Sequence, residues 1–240
     1  MKAMLFLLLA IGAAGGRAAI AAEAGLAPFV AEYEVRYGSL PVGSSRTQLS
    51  RAEAPDQWVI ESRSTASGLA KLFASGTLVQ HSSFDLTPTG PRPLNYRFDD
   101  GTQRQSRDVN LGFDWHGGRI TGSAEGDSVD LPVEAGLQDA ASIQALVLFQ
   151  LRRGSDPGTI AMIEKNQVKY YRYTLLRQER LKTAFGEFDT VLYRVARDGS
   201  SRETFFWYAP ALGYVAVQAE QRRDGKRLFQ TRIRRYQPGA

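Results

Sequence analysis

The sequence predicts a mainly β protein: a strongly curved antiparallel sheet, or an open β-barrel or half-barrel, crossed by one amphipathic α-helix. Three observations predict it. Apolar and polar residues alternate at period two through most of the chain, as they do in strands with one buried face. Four turn dipeptides, Asp100-Gly101, Gly117-Gly118, Asp198-Gly199 and Asp224-Gly225, lie between alternating runs and supply the positive φ that tight hairpins require. One run, "GLQDAASIQALVLFQLRRG" from Gly136 to Gly154, repeats instead at helical spacing.

The elements follow in order. Lys2, the apolar stretch "AMLFLLLAIGAA" (Ala3 to Ala14) and the small residues after it have the build of a secretory signal peptide, residues 1–22, too short to span a bilayer. Ala19-Ile20-Ala21 satisfies the small-x-small rule for cleavage. The expected mature chain is one β-rich exported domain, 23–240, in the bacterial periplasm, with no transmembrane segment left after cleavage. "PFVAEYEVRYGSLPVGSSRTQLSR" then reads strand, turn, strand, and "QWVIESRSTA" makes a third strand. "SGLAKLFASG" is a loop with one helical turn, after which "TLVQHSSFDL" and "RPLNYRFDD" resume the alternation.

A helix is expected at about 138–152. Asp139 can cap its first amides, Ala140, Ile143, Leu146, Val147, Gln150 and Leu151 share or border one face, Arg152 and Arg153 suit the last turn, and Gly154 can end it. From "QVKYYRYTLLRQERL" onward strands return, to about Tyr236. The two β-rich stretches thus run from about Pro28 to Pro132 and from Gln167 to Tyr236.

Composition excludes several chemistries. With no Cys, the chain has no disulfide, no lipidated Cys, no thiolate metal site and no Cys nucleophile. His81 and His116 are its two histidines, too few for a three-His zinc centre, so no metal and no cofactor are expected. Gly126-Asp127-Ser128 matches the start of a Gly-Asp-Ser hydrolase signature, but no His follows His116 to act as base. The chain is therefore expected not to be an enzyme.

Binding features are more suggestive. The net charge is +5, and Arg222, Arg223, Lys226, Arg227, Arg232, Arg234 and Arg235 crowd into two strands and their turn. An exported protein seldom meets nucleic acid, so anionic envelope lipid or glycan is the expected partner for that charge. Tyr171, Tyr173, Trp207, Arg232 and Arg234 are the candidate ligand-binding residues, because aromatic rings interleaved with guanidiniums suit stacking on sugars or gripping anionic head groups. Strand alternation would put Arg232 and Arg234 on one face, with Ile233 and Arg235 on the other.

Four segments in this order, "AEYEVRYGSLPVG", "QDAASIQALVLFQLR", "ERLKTAFGEFDTVLYRV" and "FFWYAPALGYVAVQAEQRRDGK", resemble a family of bacterial exported proteins, the domain-of-unknown-function family 3108. The resemblance implies a periplasmic, predominantly β protein with a curved sheet or open barrel, and it brings no catalytic residues. The expected function is non-enzymatic binding of an envelope lipid or glycan in the concavity of the sheet. The alternative is a scaffold that docks a protein partner in envelope assembly, and a hydrolase is the third reading.

Overall fold

The computed structural model describes residues 25–68, 71, 76–102 and 107–239. The expected signal peptide and most of the loop after Ser67 lie outside the described residues. Fourteen strands form a single antiparallel sheet with an unclosed seam, crossed by one α-helix. No helix among the described residues is long and apolar enough to cross a membrane.

Strands β1 (Phe29–Tyr37), β2 (Leu40–Arg51), β3 (Gln57–Ala66), β4 (Thr77–Thr87), β5 (Gly90–Asp99), β6 (Val109–Asp114), β7 (Arg119–Ala124) and β8 (Asp127–Pro132) form one up-and-down meander. Helix α1 (Ser142–Arg152) follows. The second meander is β9 (Thr159–Glu164), β10 (Gln167–Lys182), β11 (Glu187–Ala196), β12 (Arg202–Ala209), β13 (Val215–Arg223) and β14 (Lys226–Pro238). Pairing of β1 with β14 joins the two meanders into one sheet.

Short connections enforce this order, since antiparallel neighbours can be joined by two residues. At β13–β14, Asp224 and Gly225 both hold positive φ (49° and 73°), as a primed hairpin turn demands. Glu125-Gly126 does the same between β7 and β8. Asp100-Gly101 does not make a tight hairpin: β5 ends at Asp99 and β6 starts at Val109, leaving a longer loop. Strand β9 also departs from the expectation, which started the second stretch at Gln167; its run "TIAMIE" is too short for alternation to stand out.

The two halves of the sheet wrap around α1. Ala141, Ala145, Leu148 and Phe149 join a cluster with Leu49, Ile60, Phe84, Tyr96 and Leu111 of the first meander. Ile143, Leu146, Val147 and Leu151 pack with Ile160, Tyr173, Tyr193, Val195 and Tyr208 of the second. The helix is therefore buried on nearly every side, more than an amphipathic stripe would give. At its carboxyl end Gly154 adopts φ 71°, the amide of Ser155 bonds the carbonyl of Gln150 at 2.9 Å, and the Arg153 guanidinium lies 5.1 Å from the Phe149 ring.

Strands β8 and β9 do not pair, so a seam remains between them. Contacts made by Gln138, Lys165 and Tyr170 cross or strap it. Gln138 bridges Met162 of β9 through its backbone and reaches the carbonyl of Pro91 with Nε2 at 3.0 Å. Lys165 pairs with Glu125 at 2.7 Å, and the Tyr170 hydroxyl donates to Glu134 at 3.1 Å.

Candidate functional site

Between α1 and the sheet's inner face lies a cavity of about 480 Å³. Its position follows from the sequence of β2 and β3. Their inward series run Leu49, Thr47, Ser45 and Trp58, Ile60, Ser62, Ser64: apolar beside α1, hydroxyl toward the other end of the strands. The hydroxyls pair across strands, Thr47 Oγ1 with Ser62 Oγ and Ser64 Oγ with Ser45 Oγ, both at 2.9 Å. Their hydrogen-bonding capacity is thereby met within the sheet. Ile143, Gln144 and Leu148 of α1 form the floor, and Tyr33, Tyr173, Phe206 and Tyr208 form an aromatic wall.

Among the described residues, no charged side chain lines this cavity. Burial pushes the phenols of Tyr33, Tyr173 and Tyr208 upward, so these rings stay neutral. The cavity points away from α1 toward the end of the sheet that carries the β1–β2 and β13–β14 turns, where Tyr37, Leu40 and Phe229 are exposed. Tyr37 and Phe229 pack edge to face at 5.2 Å.

At the same end, a second, polar groove of about 450 Å³ is lined by Arg197, Arg202, Arg223, Glu164, Tyr171 and Thr204, among others. Gln221 lines both spaces. Burial pushes the Glu164 carboxyl up, but hydrogen bonds from Tyr171 (2.7 Å) and Lys169 and the charges of Lys169 and Arg197 outweigh it and hold it below its ordinary range. Burial, then that hydrogen bond, raises the Tyr171 phenol to about 12.

The five residues expected from sequence do not form one site. Tyr173 lines the cavity and Tyr171 the groove. Trp207 lies in a row with Leu192, Gln218 and Arg232, on the face opposite its neighbours Phe206 and Tyr208, and its indole donates to Glu179. Arg232 donates to Gln218 at 2.9 Å, and Arg234 is ion-paired with Glu34. A bulge opposite Glu32–Tyr33 sets Arg235 across from Glu32, so simple alternation breaks there. Sequence reasoning missed Arg197 and Arg202 and the hydroxyl wall of Ser45, Thr47, Ser62 and Ser64. The inward switch from apolar to hydroxyl residues in β2 and β3 was the available signal.

Asp139 is fully buried at the entry to α1. Its Oδ1 accepts the amides of Ala141 and Ser142, both at 2.8 Å, and its Oδ2 accepts the Ser82 hydroxyl of β4 at 2.6 Å. Ser142 Oγ accepts the Asp139 amide in return at 3.0 Å, a reciprocal box one step ahead of the helix, whose own N-cap is Ala141. Capping is thus the role of this pair, and the Ser82 bond adds a tie to the sheet.

No hydrolytic constellation forms among the described residues. Ser128 and His81 share one row, His81, Arg97, Asn110, Ser123, Ser128, and are four strands apart. That is about 19 Å at about 4.8 Å per strand. His116 occupies the β6–β7 turn, at the other end of β7 and β8. Asp99, Asp100 and Asp108 bring carboxylate oxygens within 4.8 Å of one another. These carboxylates already accept backbone amides of Gly101, Thr102 and Asp100, which accounts for the cluster as loop geometry.

Residues 32–226 match the family described as "Protein of unknown function (DUF3108)". No curated protein matches the chain. Among solved structures, a β-barrel-like protein of domain of unknown function DUF1849 from Brucella abortus is similar with a TM-score of 0.57 at 11% identity, covering 89% of this chain and 98% of that one. At that identity the likeness is one of fold. A candidate exported protein of YmcC-like fold from Bacteroides fragilis aligns with a TM-score of 0.38 at 10% identity, covering 89% and 97%.

Proposed function

The chain belongs to the DUF3108 family of proteins of unknown function, and from that premise we propose that it is a periplasmic binding protein that holds an envelope amphiphile, acyl chain inward, in the cavity above α1. The observation that carries this reading is an uncharged, open-mouthed cavity of about 480 Å³ inside the sheet. Its size falls within the range of about 300–1,000 Å³ that small-molecule sites occupy. The aromatic wall and the helix floor suit methylenes, and the hydroxyl ladder suits the uncharged polar atoms that join a chain to its head group. Each buried methylene contributes about 0.8 kcal/mol. Micromolar affinity, about 8 kcal/mol, therefore asks for a chain of at least about ten carbons. Export rests on the amino-terminal run read above.

Filling the space tests the reading. Ala219 lines the cavity on β13, so Ala219→Phe would direct a ring toward the cavity volume. The variant is expected to lose at least tenfold in affinity for a fluorescent long-chain fatty acid, with a melting temperature within a few degrees of wild type. Undiminished uptake by a folded Ala219→Phe protein would sink the proposal.

A further inference from the structure

We propose that the arginine groove beside the cavity mouth is a head-group site, and that the bound amphiphile carries a phosphate there. The proposal rests on the cavity reading above and names the chemistry of the head group.

Three observations converge. First, the groove gathers three guanidiniums, Arg197, Arg202 and Arg223, from the β11–β12 turn and the ends of β12 and β13. Most arginines of this protein are neutralised on the sheet surface, as Arg46 is by Glu32 and Arg92 by Asp85. Arg197 and Arg202 stand in no ion pair among the described residues, and Arg223 has only Asp224 at 3.8 Å. Second, Glu164, the carboxylate in the groove, is bonded by Tyr171 and by Lys169 at 3.1 Å and also feels the charge of Arg197, so a single carboxylate shared between Lys169 and the arginines leaves the groove net cationic. Third, the groove and the cavity share one continuous face. Tyr171 lines the first and Tyr173 the second, two residues along β10 and about 7 Å apart. Thr204, in the groove, pairs with Gln221, which lines both.

A molecule with its chain against Tyr173, Phe206 and Tyr208 therefore presents its head to the guanidiniums. Their planar forks match phosphate oxygens, and three of them supply more positive charge than a single carboxylate needs. The uncharged cavity and the cationic groove divide the work: burial of the chain gives affinity, and the arginines select the head.

The test compares a lysophosphatidic acid with a monoacylglycerol of the same chain length, by calorimetry on the wild type and on Arg197→Gln/Arg202→Gln. Wild type is expected to bind the phosphate-bearing lipid at least tenfold more tightly, with a preference that shrinks as salt is raised. The double variant is expected to lose that preference and keep its affinity for the monoacylglycerol. Equal affinity of the wild type for both lipids, or an unchanged preference in the double variant, overturns the head-group site and leaves the cavity reading standing. If wild type binds neither lipid, both fall. If inorganic phosphate alone binds as tightly as the lysophosphatidic acid, the groove is a free-anion site and the amphiphile proposal is overturned.

Discussion

Asp139→Ala is expected to lower the melting temperature by about 8–16 °C, read by circular dichroism at pH 7. The carboxylate serves the amides of Ala141 and Ser142 and the hydroxyl of Ser82, all in fully buried surroundings. An exposed cap is worth about 0.5–2 kcal/mol. Here no water can replace the lost acceptor, and each orphaned buried donor costs about 1–3 kcal/mol. A loss of about 4 kcal/mol follows, at about 2–4 °C per kcal/mol for a domain of this size.

The Asn variant separates charge from hydrogen bonding. Burial pushes the Asp139 carboxyl above its ordinary range, against the downward pull of its hydrogen bonds from Ser82, Ser142 and Ala141. A carboxyl with a raised folded value holds its proton longer in the native state than in the unfolded one. Its contribution to stability is full below the unfolded value of about 3.9 and is lost as pH rises through the folded value. Asp139→Asn keeps an oxygen for the two amides and carries no charge. It is expected to gain stability relative to wild type as pH is raised from 4 to 8, and a difference that does not move with pH would contradict this account.

Gly122→Ala is the second large effect. Gly122 of β7 sits at φ 144°, and a Cβ there would stand 2.0 Å from the backbone oxygen of Asn110 on β6. A backbone atom in a ladder cannot step aside as a side chain can. The φ alone costs a non-glycine residue about 1–3 kcal/mol, and displacing the β6–β7 register adds to it, for a total of about 3–5 kcal/mol. Gly112 on β6 is the control. Its Cβ would meet nothing nearer than Thr121 O at 4.0 Å, so Gly112→Ala is expected to be neutral or to stabilise by about 0.5 kcal/mol. Chemical denaturation of the two variants checks the pair, and comparable losses would contradict the argument.

Much of the fold was legible because its signals are local. Period two, the Asp-Gly turn at 224–225 and the one helical run are properties of a few adjacent residues, and they appear in place. Strand β9 was missed because six residues are too few to show a period, and Asp100-Gly101 misled because the same dipeptide also opens longer loops. The site was less legible because it depends on which rows meet. Tyr173 and Trp207 look alike in sequence, yet a one-residue difference in parity sends one into the cavity and the other to Glu179. Arg232 and Arg234 stood out by density, but Gln218 and Glu34 occupy them. Arg197 and Arg202, isolated in sequence, are brought beside Arg223 by the β11–β12 turn and its neighbour strand.

The pairing of β1 with β14 bears on how the protein is made. Every other strand pair is closed by neighbours in sequence, but Glu34 and Arg234 meet across 200 residues. Local hairpins close early and cheaply, whereas a contact of that separation carries the largest loop-closure cost and comes late. The cavity wall includes both Tyr33 of β1 and Thr231 of β14. The cavity wall is therefore complete only once β14 has paired with β1. Any molecule that bound this cavity would strengthen that final join by mass action, coupling occupancy to a single strand pair.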